Sequence, residues 1–217
     1  MNNILWEVLA LDYFSLYMAL YLVVFAALHS LLAGLPAKKM ARRHFGSKVD
    51  AWYPLVFSTI AVITILPLVI LLIQSPGPVL YAVPYPWIWL FFLVQLLMGI
   101  ATLRAFLDAP HRFLIRAQLA KPQSPDAFAL GIKGIYCWIR DPFLLSGLIL
   151  IWLTPFMTEN LFLVYLIASV YLFLGSLHWE SRLLIQFGED YTTYQKLVPR
   201  MIPRRSKKWN KCRSIKK

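Results

Sequence analysis

Long apolar runs broken by short polar stretches govern this chain. The first run, Phe14 to Leu35, has 22 residues and as a helix would reach roughly 33 Å, enough to cross a bilayer core. It has no basic stretch ahead of it and exceeds a signal-peptide core in length, so it reads as a retained helix. The second run, Tyr53 to Ile73, carries Pro67 as an expected kink that neighbouring helices must accommodate. Residues 74–86 (QSPGPVLYAVPYP) predict a Pro-rich, uncharged outer loop. The third run, Trp87 to Leu107, opens on Trp87 and Trp89, at the depth where interfacial aromatics sit.

The last two runs differ. Phe143 to Met157 and Asn160 to Leu177 are joined only by Thr158 and Glu159. The first of them would reach roughly 22 Å, short of a core of about 30 Å. The pair is therefore a tight spanning hairpin, begun as early as Ile139, or a re-entrant one. In both cases its open ends share a face. The pattern predicts an all-α polytopic membrane protein with about five hydrophobic helices. It forms a single helical membrane domain over residues 1–203, followed by a basic tail over residues 204–217, and shows no repeat of solenoid length.

Charge adds an orientation. The 22 Lys and Arg residues fall into three blocks, at 38–48, 104–140 and 182–217, and none lies elsewhere. Cytoplasmic loops collect Lys and Arg, which predicts an outer N-terminus and a cytoplasmic C-terminus in a membrane of the bacterial inner-membrane type. The net charge of +12 sits on one side of the spans, which points to anionic lipid headgroups at the basic tail and away from nucleic acid. A hydrophobic content of 59% and a mean hydropathy of +0.62 exclude an ordinary soluble domain. Cys137 and Cys212 both fall on the cytoplasmic side without paired spacing, which argues against a disulfide and against zinc. No metal-ligand spacing, phosphate loop or dinucleotide fingerprint is present.

The last hairpin brings two distant segments to one mouth, Gly131 to Pro142 before it and His178 to Tyr194 with Leu197 to Pro203 after it. Packed helices approach to about 8–10 Å, so Arg140 and Glu180 are expected to be neighbours there. A cation and an anion so placed suit a zwitterionic ligand, and the free N–H groups of the helix that starts there favour an anion. The Asp141-Pro142 pair also reads as an ordinary helix start, with Asp as N-cap and Pro in the first turn. Glu180 is an ion-pair partner for Arg140 or Arg182, or a ligand contact. Arg104, Asp108, His111 and Arg112 read as a solvated helix end or the rim of a headgroup-level pocket. His29 lies inside the first span, where an ionisable side chain suggests function. With Tyr13, Tyr17, Tyr21 and Phe25 it recurs at four-residue spacing, either as a packed aromatic seam ending in a hydrogen-bonded neutral histidine or as a substrate-lining group.

The order Tyr136-x-x-x-Arg140-x-Pro142, short hairpin, Glu180-Ser-Arg-Leu, Phe187-Gly-x-x-Tyr191-x-x-Tyr194 and Val198-Pro-Arg-Met-Ile-Pro203 resembles the isoprenylcysteine carboxyl methyltransferase superfamily over residues 131–203. The front half, with Ala26-Ala-Leu-His-Ser-Leu-Leu-Ala33 and a basic loop, is similar to a subset holding NnrU-type proteins and methanethiol S-methyltransferases. The resemblance implies a helical membrane enzyme that takes S-adenosylmethionine from the cytosol and methylates a small or lipophilic thiol or carboxylate acceptor. It implies cofactor-binding roles for Tyr136, Arg140, Asp141, Glu180, Tyr191 and Tyr194. Arg140 would take the cofactor carboxylate, Glu180 its amine, and the tyrosines would wall it. The family histidine is Asp141 here and the second family glutamate is Ser181, which alters the charge of the cofactor pocket or turns it to another use. Two other readings stand beside this one. One is a non-catalytic NnrU-like accessory or ligand-binding membrane protein. The other is a nicotinamide-dependent membrane reductase, since sterol and steroid reductases carry a similar C-terminal pattern on more helices.

Overall fold

The computed structural model describes residues 13–109, 130 and 132–202. The readings placed on His111, Arg112, Gly131, Cys212 and the basic tail 204–217 lie outside the described residues. Among the described residues six α-helices form, five on the apolar runs and one, α2, on the basic stretch after the first: α1 (Tyr13–Ala33), α2 (Leu35–Phe45), α3 (Val49–Gln74), α4 (Ile88–Asp108), α5 (Pro142–Trp152) and α6 (Glu159–Leu197). Two short strands, β1 (Val79–Ala82) and β2 (Phe156–Thr158), pair antiparallel. Among the described residues, four helical stretches are long and apolar enough to cross a membrane: α1, residues 35–74, α4 and α6. Leu31, Leu55, Ile73 and Leu96 are among the many large apolar side chains left exposed on them, a surface that belongs in lipid. The chain is an all-α polytopic membrane protein.

It divides into two compact units, residues 1–84 with 155–171 and residues 85–154 with 172–217. In the first, Met18, Leu22, Leu68 and Val164 form the core, with Tyr21, Phe25 and Ile65 packed on it. The helix runs on through Pro67. A proline there leaves the carbonyl four residues earlier without its usual donor, and at this level the Tyr21 hydroxyl donates to the Thr64 carbonyl at 2.7 Å. Within the stretch expected as a Pro-rich, uncharged outer loop lies β1, whose Tyr81 and Ala82 face Met157 and Phe156 of β2. Buried Asn160 ties this end together, accepting from the Ser15 hydroxyl at 2.6 Å and donating to the Ser75 carbonyl at 2.8 Å. A buried amide needs such partners.

In the second unit α4 and α5 run side by side. The apolar run expected to be helical to Met157 stops at Trp152, because Pro155 removes a donor and blocks the next turn. The connection to α6 therefore holds β2 and is longer than the two residues the sequence suggested. Helix α5 is only about 16 Å long. Its last carbonyls do not go unpaired: the Gln95 amide, in the middle of α4, donates to Leu150 and Leu153 at 3.3 and 3.0 Å. Such pairing is obligatory where water is scarce.

Helix α6 continues well past the expected end at Leu177 and changes direction at Gly188, whose φ of 52° and ψ of −122° are non-helical. Residues 189–197 then form a returning arm. No atom crowds a side chain at Gly188, so a Gly188→Ala change meets backbone strain alone, about 1–3 kcal/mol. We expect a lower unfolding temperature in detergent and faster proteolysis of the arm, while a glycine-neutral site would show neither.

Candidate functional site

Three elements meet at the start of α5: the 3-10 turn Gly134–Cys137, the α5 N-terminus and the stretch of α6 with its returning arm. The turn is held by Asp108 at the end of α4. Its carboxylate accepts from the Ile135 N–H at 2.9 Å and pairs with Arg104 at 3.2 Å. The Asp108 side chain is only 5% exposed while that of Arg104 is 64% exposed, so the reading of a solvated helix end is corrected for Asp108. The carboxylate is drawn inside because Gly134, at a φ of 57°, has no Cβ to keep it out. This turn seats Tyr136, which is buried against Ala105 and Ala109 with Phe143 beside it.

Five residues after Tyr136, Asp141 caps α5: its Oδ1 accepts from the Leu144 N–H at 2.9 Å, and Pro142 occupies the first turn. Its other oxygen accepts from the Ser176 hydroxyl. Asp141 is thus a helix cap, as the dipeptide suggested, and also part of a polar network. Arg140 forms an ion pair with Glu180, as expected, and the two side chains are 12% and 18% exposed. The Arg140 Nε donates to the Val198 carbonyl at 2.9 Å. The backbone N–H groups of Arg140 and Asp141 donate to the Pro199 and Arg200 carbonyls at 2.9 and 3.0 Å. Burial draws the Arg140 guanidinium below its ordinary range, with Tyr191 and Tyr194 opposing this and Arg200 adding to it. A guanidinium remains charged all the same. Arg182, the other candidate partner for Glu180, lies over the Trp179 ring at 5.1 Å.

The reversal at Gly188 brings the tyrosines back. On a straight helix Tyr191 would lie about 16 Å along the axis from Glu180, yet its hydroxyl donates to Glu180 at 3.2 Å. The Tyr194 hydroxyl donates to the Tyr136 carbonyl at 2.6 Å, and the Tyr191 and Tyr194 rings meet edge to face with centroids 5.8 Å apart. Ile132, Leu183 and Val198 complete this apolar wall. The structure therefore brings together Tyr136, Arg140, Asp141, Glu180, Tyr191 and Tyr194.

One member carried no role in the sequence reading. Arg200 donates to Ser176 at 2.7 Å, lies over Phe173 at 5.1 Å and stands 4.0 Å from Glu180. Its Nε is buried without a hydrogen-bond partner among the described residues. The signal for it was its place in Val198-Pro-Arg-Met, a motif already singled out. Ser176 was invisible, one hydroxyl within an apolar run.

His29 belongs to the other unit. It packs against Phe25, Phe57 and Tyr171, with ring centroids at 5.6, 4.6 and 6.3 Å. The aromatic seam exists, but its expected hydrogen bond is not made at Nδ1, which is buried without a partner among the described residues. Nearer its start the seam opens: Tyr13 and Tyr17 are exposed. Cys137 corrects a second expectation, since it is disulfide-bonded.

No protein-family model matches the chain, and no solved structure matches it. Among curated relatives, it is 27% identical over 196 residues to the methanethiol S-methyltransferase of a Pseudomonas species, covering 87% of this chain and 73% of that one. It is 35% identical over 71 residues to methanethiol S-methyltransferase 2 of Bradyrhizobium diazoefficiens, covering 32% of this chain and 27% of that one. A third match, to the methanethiol S-methyltransferase of Mycobacterium tuberculosis, is 30% identical over 69 residues and covers 32% and 28% of the two chains. These matches bear out the resemblance to membrane methyltransferases of the isoprenylcysteine carboxyl methyltransferase type.

Proposed function

We propose that this chain is an integral-membrane methyltransferase, oriented in a bacterial inner membrane with the Arg140–Glu180 mouth towards the cytosol. The methyl donor is S-adenosylmethionine and the acceptor is a small or lipophilic thiol or carboxylate. The observation that carries the reading is the convergence on Glu180 of two guanidiniums and a tyrosine hydroxyl. This donor set fits the amino-acid end of the cofactor. The buried Arg200 Nε lacks an acceptor among the described residues, Arg140 brings a second cation, and Glu180 and Asp141 bring two carboxylates. Similarity along most of the chain to one protein named for methyl transfer to a thiol, and along about a third of it to others, supports the same reading.

On this reading Arg140 takes the cofactor carboxylate, Glu180 its amine, and Tyr136, Tyr191 and Tyr194 form the wall. Bound there, the cofactor supplies a sulfonium methyl carbon open to displacement. The protein's part is mostly alignment, which by itself removes several kcal/mol of barrier, on the order of 7 or more in well-oriented systems. A thiolate or carboxylate acceptor carries its own electron pair, so no general base is required. Asp141 keeps α5 and Ser176 in register and, unlike a histidine, adds no cation to the two arginines. On the same reading His29 is a substrate-lining residue.

Calorimetric titration of the purified, detergent-solubilised protein with S-adenosylmethionine tests this. We expect saturable binding in the native protein and its loss in Glu180→Gln, which keeps the side-chain shape but not the charge. A folded native protein that binds no S-adenosylmethionine overturns the reading. Binding of a nicotinamide dinucleotide instead would favour a reductase, and binding of neither an accessory protein.

A further inference from the structure

The stretch after α1, expected as a basic loop, is a helix with two chemically distinct faces. At 3.6 residues per turn, Lys38, Lys39, Arg42 and Arg43 of α2 fall within an arc of about 140°. Pro36, Ala37, Met40, Ala41 and Phe45, interrupted by His44, take the opposite half, while Leu35 at the first position falls within the basic arc. None of its eleven residues is buried; Met40 is 60% and Phe45 61% exposed. A loop that only set orientation would need positive charge but no such apolar face. The helix is also fixed in place. Arg42 pairs with Asp50 at 3.6 Å, and Phe45 meets Trp52 edge to face at 5.4 Å. Before it comes α1 with exposed Leu31, and after it α3 with exposed Leu55 and Val56, so its apolar face adjoins surfaces that sit in lipid.

We propose that α2 lies in the plane of the membrane interface and binds the phosphate headgroup of an anionic phospholipid through Lys39 and Arg43. These two are exposed and stand one turn apart on one face. Arg42 is already engaged by Asp50. Met40 and Phe45 enter the boundary between headgroups and acyl chains, as the apolar face of an interfacial helix does. The occupant is a lipid, not a soluble phosphate compound, because the basic arc is coupled to an apolar half that only a bilayer covers. This inference is independent of the proposed methyl transfer.

The test uses the full chain in nanodiscs of phosphatidylcholine with or without phosphatidylglycerol, read by unfolding temperature and by lipid retained in native mass spectrometry. We expect phosphatidylglycerol to raise the unfolding temperature and to be retained. The double change Lys39→Gln/Arg43→Gln should weaken that retention roughly twentyfold or more, about fivefold for each basic side chain near an anionic surface. Lys133→Gln/Lys196→Gln, which removes equal charge at two exposed positions outside α2 and the tail, should leave it in place. No phosphatidylglycerol preference in the native protein overturns the proposal, and so does a loss that follows this second pair alone. If the helix pair unfolds early in phosphatidylcholine alone, Lys39→Arg/Arg43→Lys takes its place. That variant keeps both charges: retained lipid supports the proposal, and lost lipid overturns it.

Discussion

Arg140→Ala is expected to lower stability by about 3 kcal/mol, at the modest end of the range for breaking a buried pair, and to abolish S-adenosylmethionine binding. The change leaves the Glu180 carboxylate, 18% exposed, without its main cation. The loss is moderated because Arg200 stays 4.0 Å away and Tyr191 still donates to the same carboxylate. Three groups share one anion, so single changes will not add. The double change Arg140→Met/Glu180→Leu removes the pair without leaving either charge behind. It should recover most of the stability and none of the binding. Chemical denaturation in detergent gives the first quantity and calorimetry the second. Recovery of both would mean the pair is structural only.

Gly134→Ala should be the most damaging single methyl in the second unit. A Cβ there would run into the Asp108 carboxylate, and the backbone already holds a φ of 57°. The left-handed conformation alone costs an alanine about 1–2 kcal/mol. Displacing Asp108 would add the loss of its bonds to Ile135 and Arg104, with a buried carboxylate left poorly paired, for a total of about 4 kcal/mol. Because the turn seats Tyr136 and leads into Arg140, cofactor binding should fall with stability. Adding Asp108→Ala relieves the collision but not the strain, so thermal unfolding of the double variant should recover part of the loss. Full recovery would mean the backbone at Gly134 carries no strain.

Much of the fold was legible because bilayer thickness is a blunt ruler. Runs such as Phe14 to Leu35 and Trp87 to Leu107 have the length that lipid demands, and the structure places α1 and α4 there within a few residues. The neighbourhood of Arg140 and Glu180 followed from the hairpin bringing their segments to one end. What could not be read depended on contacts made after folding. The pairing of β1 with β2 joins segments separated by more than seventy residues, and the prolines around Val79 argued only for a loop. Helix α2 was hidden because hydrophobicity along the chain drops there, while its order appears only around the helix axis. Asp108 looked like a surface charge because nothing local reveals that a glycine far along the chain leaves room for it. Arg200 lacked a role until the reversal at Gly188 showed where the chain goes.

The brevity of α5 bears on its place in the membrane. A helix of about 16 Å falls well short of a hydrocarbon layer of about 30 Å. None of its residues is exposed, and its last carbonyls accept from the Gln95 amide of α4, so the shortfall is met by neighbouring protein and not by lipid.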